Sequence, residues 1–256
     1  MVDINELVDA CMDGTPKMRP VLPLGQALSI GSVGFLEDHA FRYVGTVETL
    51  LGKSAGSPLP SEGLISFNAS SEDGFSHRIY ASGETSETFG SIVGANGAIE
   101  LSFSTESAFM LSAKDVAITT MGDPAALLAE MLKRYKAGAW EKRYCFVYQV
   151  GTAAAYTATL SRQSGAKLLL SVDTSLGQGN FSVADVAAGA HLTHQSGALD
   201  QIIGAKNIPA FYNAYRVKDR FFRRDIVKTA SALPTDASPG AISEALELTE
   251  TPFELV

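Results

Sequence analysis

The strongest helical pattern in the chain lies between two regions of strand-like alternation, and this order limits the available folds. Residues 122–140 predict a helix with Asp123 as its N-cap, Pro124 in its first turn and Gly138 at its end. Strand-like segments occupy 64–120 before this helix and 143–224 after it. Because strands and helices do not alternate regularly, we expect an α+β fold with a twisted, largely antiparallel sheet and helices packed around it.

The clearest strand is IELSFS at 99–104. Its alternation places Ile99, Leu101 and Phe103 on one face and Glu100 on the other. The preceding segment, 71–90, is rich in Ser and Gly and poor in large apolar residues. We expect 71–90 to be an exposed hairpin or loop outside the core.

Two further helices are predicted near the N-terminus. In 3–13, Asp3 and Glu6 have capping-box spacing, and Ile4, Leu7, Val8 and Cys11 share a face. The segment 46–52 predicts one or two helical turns that end at Gly52.

Composition narrows the class of protein. The apolar content is 46% and the net charge is −8, which indicates a core-forming globular chain and disfavours nucleic-acid binding. Two cysteines do not form a disulfide framework. The first residues lack the basic and apolar regions of a leader peptide, so a cytoplasmic protein is expected.

The motifs of enzymes do not assemble in this chain. Residues 52–56 match G-x-S-x-G around Ser54, but a helical turn precedes the motif and a Pro-rich loop follows it, so the context of a nucleophile elbow is missing. His191 and His194 lie three residues apart, which on a strand places them on opposite faces. We therefore predict a non-enzymatic protein without cofactor or metal.

A basic strip near the C-terminus carries more signal. Six basic residues lie within 216–228, and none follows in 229–256, which holds five acidic residues. Read as a strand, 208–224 has a basic face with aromatic residues at its ends and a mostly apolar opposite face. The bland interpretation is a solvated sheet face. The functional interpretation is a surface for anionic phospholipid headgroups, made by Lys206, Arg216, Lys218, Arg220 and Arg224.

The segments after this strip suggest a detachable tail. Residues 229–240 have linker composition, and residues 241–256 regain apolar character. We therefore divide the chain into a domain at 1–228 and a short tail at 229–256. The tail's candidate anchors are Ile242, Leu246, Leu248, Phe253 and Leu255. Leu233 and Asp236 mark the exposed region where a protease is expected to cut.

The ordering of segments resembles the pore-forming domain of gasdermins, in particular the short bacterial and fungal forms. The matching features are FRYVGTVETLLGKSAGSPLP at 41–60, LLAEMLKRYKAGAWEKRYCFVYQV at 127–150, AFYNAYRVKDRFF at 210–222 and the short C-terminal extension. The resemblance implies a soluble monomer held inactive by its tail. It also implies activation by a protease, oligomerisation at the inner face of the cell membrane, and a β-barrel pore that causes cell death in antiviral defence.

The same resemblance assigns the membrane-inserting hairpins and a modification. The hairpins are expected within 71–111 and 155–195. Some bacterial gasdermins carry a lipidated cysteine near the N-terminus, for which Cys11 is the candidate, although a buried helix-face cysteine is the alternative. The expected partners are membrane phospholipids, an activating protease and further copies of the chain. The alternative function is a non-enzymatic lipid- or protein-binding module with a docking tail.

Overall fold

The protein is described from a computed structural model, which covers residues 4–14, 16–80, 84–91, 97–172, 190–217 and 253–255. Its elements, in chain order, are α1 Asn5–Asp13, β1 Arg19–Pro20, β2 Ser32–Glu37, β3 Ala40–Thr46, α2 Val47–Leu51, β4 Pro58–Pro60, β5 Ile65–Ser70, β6 Phe75–Tyr80, β7 Thr85–Ser86, β8 Gly90–Ser91, β9 Ala98–Phe103, β10 Phe109–Met121, α3 Ala125–Lys136, β11 Cys145–Ser161, β12 Ala166–Val172, β13 Ala190–Ser196, β14 Leu199–Ala205, β15 Ile208–Val217 and β16 Phe253–Leu255.

Strands dominate the described residues, and the three helices are short. The strands form a ten-stranded sheet, called the large sheet, a four-stranded small sheet and a two-stranded ribbon. Every pairing recorded between them is antiparallel. The predicted α+β class with largely antiparallel sheets is therefore confirmed.

The large sheet is built around β10 and β11, which pair from Phe109–Leu160 to Thr120–Gln149. The sequence predicts two strands, 143–150 and 155–161, where the structure has the single strand β11. Gly151 in its middle permits this continuity, because a Cβ there would lie 3.1 Å from the side chain of Val116 and 3.4 Å from Phe211.

The helices pack on this sheet as their apolar faces predict. Leu7, Val8 and Cys11 of α1 are buried in a cluster with β5, β10, β11 and β15. The helix begins after Ile4, which makes no side-chain cap, and Asp3 of the predicted capping box lies outside the described residues. Helix α2 lies within the predicted segment 46–52 and ends at the predicted Gly52, which is left-handed, while Thr46 caps its start.

The Arg134 side chain of α3 forms hydrogen bonds to the end of α2. The Arg134 guanidinium donates to the carbonyl oxygens of Leu50 at 2.6 Å and Leu51 at 3.1 Å, and it pairs with Glu130 at 3.0 Å. These carbonyls belong to the last turn of α2, where helix oxygens lack partners within the helix. Asp123 accepts from the Ala125 N–H at 3.0 Å, although the assigned helix starts two residues later than the predicted cap.

The small sheet has the strand order β13–β12–β9–β6, and the large sheet contains the adjoining order β14–β11–β10–β5. Each strand of the small sheet is therefore consecutive in the chain with the strand at the same position in the large sheet: β6 with β5, β9 with β10, β12 with β11 and β13 with β14. The central pairing also keeps its register. Phe109 pairs with Leu160 in the large sheet, and six residues further along each strand Phe103 pairs with Ala166 in the small sheet.

Backbone hydrogen bonds continue through the corner between the sheets. Ser161 donates to Ala108 at 2.8 Å and accepts from Ser107 at 2.9 Å, and Gly165 donates to Phe103 at 2.8 Å. The outer pairs slip: Ser70–Met110 is followed by Phe75–Phe103, a two-residue offset, and Ser161–Leu199 by Lys167–Ser196, a three-residue offset. The small sheet is thus a folded-over continuation of four large-sheet strands.

Candidate functional site

The folded-over small sheet has two chemically different faces, and its apolar face is buried. Ile99, Leu101 and Phe103 lie on this face, as the alternation predicts, together with Leu168 and Leu170 of the neighbouring strand. They form one cluster with Ala108 and Met110 at the corner and in the large sheet. Only the rim of this face is open, where Ile79 and Leu192 are 39% and 46% exposed.

The opposite face carries polar side chains and is covered by residues 84–91, called the covering segment. Glu100 lies here and is only 5% exposed. Its carboxylate accepts from Ser86 at 2.6 Å, Tyr80 at 2.9 Å and Thr88 at 3.2 Å, and it pairs with Lys167 at 3.2 Å.

Most described residues of 71–90 are exposed, as expected, but the segment also reaches the core at a few positions. Tyr80 and Ser86 are buried, at 3% and 1% exposed. Polar and apolar contacts both contribute to this burial. A carboxylate removed from water must receive hydrogen bonds, which the hydroxyl-rich segment supplies. Tyr80 also packs with Ala98, Leu169 and Phe89 in a small apolar cluster. Phe89 of the covering segment also stacks on His194, with ring centroids 5.9 Å apart.

The two histidines of β13 do not lie as predicted. His191 pairs with Ser171 and His194 with Leu169, and a register shift occurs between these pairs. Ser171 and Leu169 are two residues apart on a regular strand and share a face, so the irregularity brings both histidines to the polar face. No group of three His, Cys, Asp or Glu side chains suited to a metal ion occurs among the residues that the structure describes.

The C-terminal strand pairs with the beginning of the predicted basic strip. β16 adds to β15 in antiparallel register, with Leu255 opposite Tyr215, Glu254 opposite Arg216 and Phe253 opposite Val217. β15 is bonded on its other side to β11. The candidate tail anchors Phe253 and Leu255 thus lie in this strand, whereas Ile242, Leu246, Leu248 and the cleavage candidates Leu233 and Asp236 lie outside the described residues.

Three residues of the basic face predicted within 208–224 lie in the described part of β15: Tyr212, Ala214 and Arg216. Tyr212 and Ala214 of that face are buried in a cluster with Val21 and Phe41, and Phe211 is buried on the other side. The cause is that β15 lies inside the large sheet, with core packed on both faces. Only Arg216, half-buried at the end of β15, has the position that the alternation assigns to it.

The candidate lipid-binding residues do not form one patch within the described residues. Lys206 is exposed in the turn between β14 and β15. Arg216 lies at the other end of β15, roughly 25–30 Å away at the usual rise of a strand. Lys218, Arg220 and Arg224 lie outside the described residues. Arg216 lines a surface depression of about 460 Å³ together with Glu141, Lys142 and Arg143.

Cys11 is fully buried, and burial raises the pKa of its thiol to about 12. A thiol becomes a nucleophile as its thiolate, so this side chain is inert in the folded monomer. The position matches the alternative interpretation of Cys11 as a core residue of a helix face. Acylation of Cys11 requires α1 to leave the large sheet first.

Ser54 lies exposed in the loop after α2, where its hydroxyl accepts from the Gly56 N–H at 3.2 Å. This is a local turn contact. None of the helices in the described ranges combines the length and the apolar character needed to cross a membrane.

Comparisons with protein-family models, with curated proteins and with solved structures gave no match. Sequence reasoning missed the Glu100 cluster and the fold-over of the small sheet. Two signals were present for the cluster: a hydroxyl-rich run at 84–88, and Lys167 as the one charge in the apolar strand AKLLLSV.

Proposed function

We propose that this chain is an autoinhibited, non-enzymatic pore-forming protein of the gasdermin type, in which the small sheet is the membrane-inserting part. One observation carries the proposal. The small sheet repeats the strand order of the large sheet and keeps its central register. Straightening the corner would therefore join β9 to β10 and β11 to β12 as two long strands, and the β10–β11 and β9–β12 pairings would stay as they are. The products are two long antiparallel hairpins, within 65–121 and 145–205.

The faces of the small sheet fit the two environments of such hairpins. A membrane β-strand needs about 9–11 residues that alternate between an apolar side facing lipid and a polar side facing the lumen. Ile99, Leu101 and Phe103 supply the apolar side, and Glu100 and Ser102 the polar side. In the resting fold the apolar side is buried against the large sheet, which keeps the monomer soluble.

Oligomerisation is required by the strand edges. After straightening, β5–β6 and β13–β14 form the two outer edges of the four-stranded unit, and their backbone groups have no water to bond in lipid. Pairing the β5–β6 edge of one copy with the β13–β14 edge of the next closes the barrel and satisfies both edges. Membrane phospholipids, an activating protease and copies of this chain are the partners in this proposal.

The C-terminal strand supports the inhibitory role of the tail at 229–256. Each backbone hydrogen bond of β16 contributes about 0.5–1.5 kcal/mol net, so a three-residue strand holds only weakly by itself. Its covalent linker raises its effective concentration to roughly millimolar. Cutting the linker removes that contribution, and the edge of β15 at Tyr215–Val217 is then released.

The test is dye release from anionic liposomes by full-length protein and by a chain that ends at residue 232. We expect release only from the truncated chain. A truncated chain that is folded and does not release dye contradicts the proposal. Reversible binding without leakage favours the alternative, a lipid- or protein-binding module whose tail docks by strand addition.

A cross-linked variant tests the position of the inhibitor. Tyr215→Cys with Leu255→Cys places two thiols on paired residues, whose Cα separation of ~4.5–5.5 Å suits a disulfide. After cleavage in 229–240 the oxidised variant is expected to stay silent, and reductant is expected to start leakage. The single-cysteine variants are the controls. Leakage from the cleaved, oxidised variant contradicts inhibition through β16.

A further inference from the structure

The Glu100 carboxylate joins three separate parts of the chain. Tyr80 comes from β6, Ser86 and Thr88 from the covering segment, and Lys167 from β12. Ser86 is itself tied into the covering segment, because its oxygen accepts from the N–H groups of Thr88 and Phe89 at 3.1 Å each. Lys167 also donates to Thr88.

Burying the Glu100 carboxylate costs free energy unless all of its hydrogen-bond donors are in place. A carboxylate at 5% exposure has lost most of its water, and each missing donor leaves an unsatisfied charge. The covering segment brings one large apolar side chain, Phe89, which packs against Tyr80, Ala98 and Leu169 of the small sheet. The hydrogen bonds of Ser86 and Thr88 to Glu100, together with the packing of Phe89, fasten the segment to the small sheet.

We propose that Tyr80, Ser86, Thr88, Glu100 and Lys167 form a latch, which holds the covering segment on the polar face of the small sheet and restrains that sheet in its folded-over position. The latch as a structural device is independent of pore formation. Its role as a gate for the small sheet rests on the proposed function.

The latch has a defined sensitivity to acid. Burial by itself raises the pKa of Glu100, but hydrogen bonds from Ser86, Tyr80 and Lys167 and the Lys167 charge together hold that pKa below its usual range. The latch is thus complete at neutral pH and weakens as acid protonates the carboxylate. The charged or titratable groups on the surrounding elements are Arg78 and Tyr80 on β6, Glu84 and Glu87 on the covering segment, Lys167 on β12, and His191 and His194 on β13.

The first experiment is hydrogen exchange of the uncut, full-length protein in solution at pH 7. Glu100→Gln keeps the shape of the side chain and removes its charge. We expect amide exchange in 84–91 and 98–103 to accelerate at least about tenfold, with β10 and β11 unchanged. Glu37→Gln is the matched control, because Glu37 pairs with Arg42 at 2.8 Å on the exposed surface. Unchanged exchange in Glu100→Gln overturns the latch.

A second variant guards against misfolding of the first. Ser86→Ala removes one donor, keeps the charge pair with Lys167, and is expected to accelerate exchange in 84–91 by a smaller factor. Protection equal to wild type in Ser86→Ala overturns the latch even where Glu100→Gln does not fold.

The gating role is measured separately on cleaved protein with anionic liposomes. Cleaved Glu100→Gln is expected to release dye several-fold faster than cleaved wild type. Equal rates, with accelerated exchange in solution, overturn the gate and leave the latch. Absence of leakage from cleaved wild type is instead a failure of the proposed function, and the exchange result stands apart from it.

Discussion

Leu192 lies on the apolar face of the small sheet and is 46% exposed, so a charge placed there tests the proposed membrane face without disturbing the resting core. Leu192→Arg adds a guanidinium that reaches water in the monomer. In a barrel the same side chain faces lipid, where Arg costs about 2–4 kcal/mol at the midplane and less near the interfaces. At midplane depth this cost reduces insertion roughly 30- to 900-fold for each copy, and it recurs in every subunit.

The matched control is Ser196→Arg on the same strand. Ser196 is exposed and pairs with Lys167, so it belongs to the polar face that the proposal places toward the lumen. The assay is dye release by the cleaved variants, with urea denaturation of the uncut variants to show that both monomers keep wild-type stability. We expect Leu192→Arg to lose leakage and Ser196→Arg to retain it. Equal leakage from both variants refutes the assignment of the two faces.

Three further predictions concern the resting monomer. Arg134→Met removes the donors to Leu50 and Leu51 and is expected to lower the free energy of unfolding by about 1–3 kcal/mol in urea denaturation, whereas Lys133→Met, with a side chain 79% exposed, is expected to change it little. The depressed pKa of Glu100 contributes stability above the ordinary carboxyl range that is lost as pH falls through the lowered pKa; Glu100→Gln should therefore flatten the acid limb of a stability–pH curve, and an unchanged limb contradicts this. Burial raises the pKa values of Cys11 and Cys145 to about 12, so neither thiol is expected to react with iodoacetamide at pH 8 until denaturant is added, and rapid labelling of the native protein contradicts their burial.

Local signals in the sequence predict the local structure well. Helix α2 is bounded by Thr46 and Gly52, and the buried face of α1 follows the spacing of Leu7, Val8 and Cys11. These features depend on residues within one or two turns of each other. The strand class of the 64–120 region is likewise fixed by alternation, which explains why Ile99, Leu101 and Phe103 share a face as expected.

What the sequence does not predict depends on distant parts of the chain. Alternation places Glu100 and Ile99 on different faces of the strand. It does not show that Tyr80, Ser86 and Lys167 surround the Glu100 carboxylate. The burial of Tyr212 and Ala214 is not predicted, because alternation gives the side of a strand and not its place in a sheet. β15 lies in the interior of the large sheet, where Tyr212 packs against Phe41 with ring centroids 5.5 Å apart.

The two sheets differ in their buried apolar contacts, which bears on our proposal that the small sheet is the part that moves. In the large sheet, β10 and β11 are paired over eleven recorded positions and are covered by buried clusters on both faces. The small sheet packs its apolar face into one buried cluster, and on its other face Tyr80, Ala98 and Leu169 form a smaller cluster with Phe89 beside the Glu100 contacts. Units with fewer buried apolar contacts open at lower free energy than the whole domain.

Strands β15 and β11 connect the proposed inhibitory strand β16 to the small sheet. β16 pairs with β15, β15 pairs with β11, and β11 continues through Ser161 into β12 of the small sheet. Adjacency of this kind does not by itself establish coupling, which requires an element whose equilibrium both sites bias. The disulfide of the variant with Tyr215→Cys and Leu255→Cys supplies that measurement. If reduction of the cleaved variant accelerates amide exchange in 98–103 as well as at 208–217, the tail restrains the small sheet through β11. If exchange changes only at 208–217, the tail and the Glu100 latch restrain the protein independently.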